Sequence, residues 1–136
     1  MASIFSKIVT GDIPAYKVAE DENYLAFLDI NPLVMGHVLV IPKKEVDYIF
    51  DLDDETYVGL QLFAKKVALG IKQAIPCKRI GIAVIGLEVP HTHIHLVPMN
   101  GMDDLNFSRK KLHPSKDALE ATAEKIIKEV DLGTSN

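Results

Sequence analysis

Apolar residues recur along this chain with two different periods. Between residues 53 and 76 the spacing is helical: Val58, Leu62, Phe63, Val67, Ile71 and Ile75 predict a long helix with those six residues on its core face. Asp53 is its candidate N-cap, Asp54 and Glu55 suit its positive end, Gly70 weakens it and Pro76 stops it. Residues 115–130 repeat the pattern, with Leu119, Ala123, Ile126, Ile127 and Val130 facing inward. Residues 3–9 are a shorter version, with Ser3 as cap, Ile4, Phe5 and Ile8 on one side, and Gly11 and Pro14 ending it.

Elsewhere the runs are short and β-prone. Residues 16–20 and 24–28 flank the polar Asp21-Glu22-Asn23 and predict a hairpin. A loop with Asn31-Pro32-Leu33 and Gly36 leads into residues 37–42, nearly all apolar, the pattern of a strand buried on both sides. Residues 43–50 show no clear period beyond a short helical turn. Residues 78–85 read as a strand, 86–90 as a turn, 91–98 as another strand and 99–112 as a polar connection. The order predicts one α+β domain over residues 1–136: an antiparallel sheet of about five strands with a long helix and a C-terminal helix at about 115–131. No repeat, low-complexity tract or linker interrupts it.

The segment His91-Thr92-His93-Ile94-His95-Leu96-Val97-Pro98 places three histidines at alternate positions. In a strand this spacing puts the imidazoles in one row, with Ile94 and Leu96 pointing the other way into a core. A helix would spread them over roughly 200°. Val89, Pro90 and Pro98 favour the strand. A sheet ending in such a strand would leave the row facing a cleft.

Composition narrows the chemistry. A hydrophobic content of 48% with 25% charged residues is that of an ordinary soluble domain. Its length allows about two thirds of the unfolded surface to be buried, so neither metal nor disulfide is needed for folding. A net charge of -4 argues against general nucleic-acid or anionic-membrane binding, though not against a small phosphorylated ligand at a locally positive site. Cys77 is the single cysteine and cannot form an internal disulfide. The first residues show no secretory signal and no apolar run approaches the roughly 20 residues that span a bilayer, so the expected location is the cytoplasm.

Two chemistries suit a row of imidazoles better than incidental surface placement. Alternating neutral imidazoles on a strand are good zinc ligands. An imidazole can also attack a phosphoryl or nucleotidyl group, because the phosphoramidate formed is reactive enough to hydrolyse. A metal site would usually recruit further carboxylates or thiolates, and the only acid beside the row is Glu88. Composition alone does not separate the two.

Residues 91–97 match the His-φ-His-φ-His-φ-φ signature of the histidine-triad (HIT) family of nucleotide hydrolases and transferases, with only Thr92 stretching the hydrophobic positions. Three further blocks resemble the family in the same order: residues 3–15, Leu25-Ala26-Phe27-Leu28-Asp29-Ile30-Asn31-Pro32, and Gly36-His37-Val38-Leu39-Val40-Ile41-Pro42-Lys43-Lys44. The resemblance spans residues 3–98 and is nearest to the Hint-like branch. It implies a HIT-like fold and a homodimer in which two sheets pair across the long helices. It also implies a hydrolase or transferase acting at the α-phosphate of purine nucleotide conjugates (AMP or GMP), of phosphoramidate or dinucleoside polyphosphate type, through a nucleotidyl-histidine and without a cofactor or metal. His93 would be the nucleophile. His95 and His37 would contact phosphate oxygens, with His95 or a neighbour protonating the leaving group, and His91 would order the array. Ile4, Phe5, Ile8, Phe27 and Ile30 would enclose the base, and Asp29 would accept from the ribose hydroxyls. The alternatives from other classes are a nucleotide-binding regulatory module without catalysis and a His-ligated metalloprotein.

Three departures from the family pattern bear on this. Residues 79–90 contain no Asn, Gln or Ser where many relatives supply phosphate contacts, and Glu88 there would repel a phosphate unless it points away. Ser3, Ser6 and Glu45 stand where some bacterial relatives bind structural zinc through two cysteines and a histidine, so that zinc site is expected to be absent. The region after Asn100 is longer than in compact Hint-like proteins, and the resemblance assigns it no role. Lys43, Lys44 and His113 read as solvated surface or loop.

Overall fold

The structure, a computed structural model, describes residues 2–133. In chain order it contains α1 (Ile4–Val9), β1 (Lys17–Glu20), β2 (Tyr24–Leu28), β3 (Val38–Pro42), α2 (Asp54–Ala74), β4 (Arg79–Ala83), β5 (Ile94–Met99) and α3 (Lys116–Glu129). Short 3-10 turns occupy Ile49–Asp51 and Met102–Leu105. The predicted caps Ser3 and Asp53 are in place, and Ser115 caps α3 in the same way: each accepts from a backbone N–H three residues on. These caps satisfy donors that a helix start would otherwise leave bare.

The five strands form one antiparallel sheet in the order β1-β2-β3-β5-β4. The histidine strand β5 therefore does not end the sheet, as the sequence order suggested; β4 pairs outside it and becomes the edge. Both faces are covered. On one, Ala26, Leu28, Val38, Val40, Ile94 and Leu96 pack against α2 and α3. On the other, Leu25, Phe27, Leu39 and Ile41 pack against Phe5 and Ile8 of α1. Alternate side chains of β2 and β3 thus serve two cores, which is why their sequences are apolar throughout.

Two predicted helix faces need correction. In α2 the buried residues are Leu60, Phe63, Ala64, Val67, Gly70 and Ile71, whereas Val58 and Leu62 are 53% and 55% exposed. The helix carries two apolar stripes: Val58, Leu62 and the equally exposed Leu69 lie roughly 200° from the core stripe. Periodicity alone does not say which stripe is inward. Gly70 is explained by contact, since a Cβ there would come within 2.8 Å of the Val130 backbone at the end of α3. In α3, Ile127 is half exposed and Thr122 takes a buried place, its hydroxyl donating to the Ala118 carbonyl. Among the described residues no helix is long and apolar enough to cross a membrane.

Candidate active site

Sheet register fixes the site. In the β3–β5 pairing Leu39 lies opposite His95, so His95 shares the α1 face with Leu39. Regular strand begins only at Ile94, and His91 to His93 lie in the segment leading into it. The expected common side is kept nonetheless: the His93 and His95 ring centroids are 4.9 Å apart, and Phe5 of α1 meets the edges of His93 and His91 at 5.0 and 6.0 Å. Ile94 and Leu96 fill the opposite core.

Hydrogen bonds assign each imidazole its tautomer. The Leu33 N–H donates to His37 Nδ1 (3.1 Å), so His37 carries its proton on Nε2 and donates to His95 Nδ1 (3.0 Å). His95 therefore keeps its own proton on Nε2. His93 does the reverse: Nδ1–H donates to the His91 carbonyl (2.8 Å), leaving an Nε2 lone pair. His91 donates from Nε2 to the Pro42 carbonyl (2.8 Å) and accepts at Nδ1 from the Ser3 hydroxyl (2.8 Å). Adjacent rings thus offer one lone pair and one N–H.

Burial keeps the supporting rings neutral. Loss of water, reinforced by His95 and Lys111, pushes His37 down to about 3. The same loss, with His93 and Lys111 adding to it, pushes His95 down to about 4. Desolvation also lowers His91, partly offset by its bond to Pro42 and by Glu45. Burial raises the Asp29 carboxyl against the opposing Asn31 N–H bond. With both ring nitrogens engaged, His37 has no donor left for a phosphate oxygen. These bonds tie its ring to the His95 imidazole.

Two contiguous cavities meet at His93 and His95. The larger, about 370 Å³, is lined by all six residues expected around a nucleoside: Ile4, Phe5, Ile8, Phe27, Asp29 and Ile30. Ile4 and Ile30 are half exposed there, an apolar surface open to a ligand. The second, about 200 Å³, is lined by Asp29, His37, His93, His95, the Ile85–Glu88 loop, Phe107 and Lys111. Glu88 lines both cavities. His91 is fully buried and lines neither.

Phe107 and Lys111 were not visible in the sequence. The Phe107 ring packs against His95 with centroids 4.7 Å apart. The segment carrying them is tied to the loop before β3: Arg109 donates to the Leu33 carbonyl, the Leu112 N–H to the Pro32 carbonyl, and His113 bonds Asn31. The long region after Asn100 is thus a strap across the site. Nothing in its polar composition signals this.

Ser3, Ser6 and Glu45 form a network around His91. The Ser3 N–H and the Ser6 hydroxyl both donate to one Glu45 oxygen, while Ser3 Oγ bridges the Ser6 N–H and His91. Among the described residues the one cluster with metal-ligand geometry is Asp29, His37 and His95, whose ligand atoms lie within 4.8 Å of one another. The facing atoms of its two histidines are already bonded to each other. Lys43 and Lys44 pair with Glu20 and Asp53 at the surface.

Fold and site together define a small α+β domain with an ordered imidazole array at the junction of two cavities. Comparison with known proteins places that class. The HIT domain model matches residues 10–102, and the chain belongs to the HIT family. An uncharacterized HIT-like protein of Borreliella burgdorferi is 39% identical over 113 residues, 78% of this chain and 81% of that protein. The adenosine 5'-monophosphoramidase hnt1 of Schizosaccharomyces pombe is 41% identical over 100 residues, covering 72% and 74%. The crystal structure of a Hit-like protein involved in cell-cycle regulation from Bartonella henselae superposes with a TM-score of 0.82 at 30% identity, covering 93% of this chain and 95% of that one.

Proposed function

We propose that this chain is a nucleotide hydrolase or transferase that works through a nucleotidyl-histidine on His93, with purine nucleoside phosphoramidates or related conjugates as substrates. The observation that carries the reading is the opposed tautomers of His93 and His95 at the mouth of an apolar, nucleoside-sized cavity. Similarity to a yeast adenosine 5'-monophosphoramidase supports it.

In this mechanism the base lies between Ile4, Phe5, Ile8, Phe27 and Ile30, and Asp29 accepts from the ribose. The His93 Nε2 lone pair attacks the α-phosphorus as the bond to the leaving nitrogen breaks, and the amine takes its proton from solvent. Water then attacks phosphorus, Nε2 departs and the nucleoside monophosphate is released. The imidazolium formed on His93 keeps its Nδ1 proton on the His91 carbonyl, which stabilises the developing positive charge. His95 Nε2–H is a hydrogen-bond donor for a phosphoryl oxygen. A neutral His95 would have to become an imidazolate to act as the acid, so the acid role implied by resemblance does not suit it. His91 and His37 act by orienting the other two.

The same reading includes a homodimer in the cytoplasm. The outward stripe Val58, Leu62 and Leu69 and the exposed Ile82 on edge strand β4 are apolar surface that a second copy would cover. Hydrolysis of adenosine 5'-phosphoramidate, with and without chelator, tests the assignment. Turnover that resists chelation and vanishes in His93→Ala supports it. AMP binding without turnover favours the regulatory module, and loss on chelation alone favours metal chemistry at Asp29, His37 and His95.

A further inference from the structure

The second cavity has an unusual charge inventory for a phosphate site. Burial holds His37 and His95 neutral, Asp29 and Glu88 add two acidic side chains, and the loop before the triad offers no Asn, Gln or Ser side chain. Among the described residues Lys111 is the one lysine or arginine lining either cavity. Its ammonium donates to the Phe107 carbonyl (2.9 Å), which uses one of its three N–H donors. The backbone around it is anchored on both sides, by Arg109 on the Leu33 carbonyl and by Leu112 on the Pro32 carbonyl. A half-buried cation held in this way beside His95 is preorganised, since little side-chain freedom remains to be lost on binding.

We infer that Lys111 is a phosphate-binding residue of this site: a cation delivered by the C-terminal strap, where the loop before the triad lacks side-chain donors. It offsets Glu88 across the same cavity and selects ligands that carry a phosphate over the bare nucleoside. This rests on the nucleotide reading above and adds the residue that recognises the anionic group. Charge-assisted hydrogen bonds of this kind contribute about ten- to a hundred-fold in affinity.

The test is calorimetric titration of AMP and of adenosine into the unsubstituted 136-residue chain, its Lys111→Met variant and its Lys111→Arg variant. Lys111→Met keeps the apolar stem and removes the charge. The expected result is AMP binding weakened about ten-fold or more in Lys111→Met, adenosine binding unchanged, and most of the AMP affinity kept in Lys111→Arg. The salt dependence of AMP binding should also be shallower in Lys111→Met. Equal losses for both ligands would make Lys111 a support for the strap alone and overturn the inference, as would unchanged AMP binding. If the unsubstituted chain binds neither ligand, the nucleotide reading fails and this inference fails with it. Binding without discrimination removes only the role of Lys111.

Discussion

Mild acid should destabilise this protein through His37, by an amount that its environment sets. The ring is 1% exposed, accepts from the Leu33 N–H and donates to His95, and burial holds it down to about 3 against about 6.5 in an unfolded chain. Between those values the unfolded state binds a proton that the folded state refuses, so stability rises with pH. The contribution is fully present above pH 6.5 and is lost as pH falls from there toward 3. From about pH 7 to about pH 4.5 the unfolded state gains close to two units of proton affinity, roughly 2.5 kcal/mol for this one residue. His37→Asn removes the titration and keeps an acceptor for Leu33. In urea unfolding at the two pH values, the native chain should lose roughly 2 to 3 kcal/mol more than His37→Asn. Carboxylates shared by the two chains cancel in that difference. An identical pH dependence in both would refute the claim that burial keeps His37 neutral, and with it the tautomer assigned to His95.

Other substitutions probe separate links. Ser3→Ala removes the donor to His91 Nδ1 and should cost about 1 to 3 kcal/mol in urea unfolding, with kcat falling more than KM rises because the His91 carbonyl orients His93. Gly70→Ala improves helix propensity yet drives a Cβ onto the Val130 backbone, so the melting temperature should fall, by roughly 1 to 3 kcal/mol in equivalent stability. Leu62→Lys, on the outward stripe of α2, should yield a folded monomer by light scattering; a monomeric native chain would refute the dimer directly.

Much of the fold was legible because capping and period are local. Ser3, Asp53 and Ser115 mark helix starts by their own side chains, and Pro76 marks a stop. The apolar run of β3 was readable as a strand with two buried faces and that of β2 as an arm of a hairpin; that β2 is buried throughout appears only in the structure. The face of α2 was not legible, because Val58 and Leu62 carry the same hydropathy as the residues opposite them, and only tertiary contact distinguishes the two stripes. The position of β5 between β3 and β4 is likewise a pairing choice that no local signal records.

The site divides along the same line. His93, His95 and the residues around the larger cavity came from a motif and from family resemblance, and the structure gathers them around one space. The roles of His37 and His91 depend on which nitrogen meets which backbone carbonyl or N–H, and spacing carries no such information. Phe107 and Lys111 arrive from a polar stretch whose place is set by Arg109 and Leu112 reaching back to residues 32–33. Those contacts are long-range and leave no periodic trace.

The central claim is that the His93 lone pair forms a bond to phosphorus. Rapid acid-free quenching of the chain with adenosine 5'-phosphoramidate, followed by peptide mass spectrometry, tests it directly. An AMP adduct is predicted on His93, formed and lost at rates compatible with turnover, insensitive to chelator and absent in His93→Ala. Turnover without any adduct, an adduct on His95, or undiminished activity in His93→Ala would contradict it.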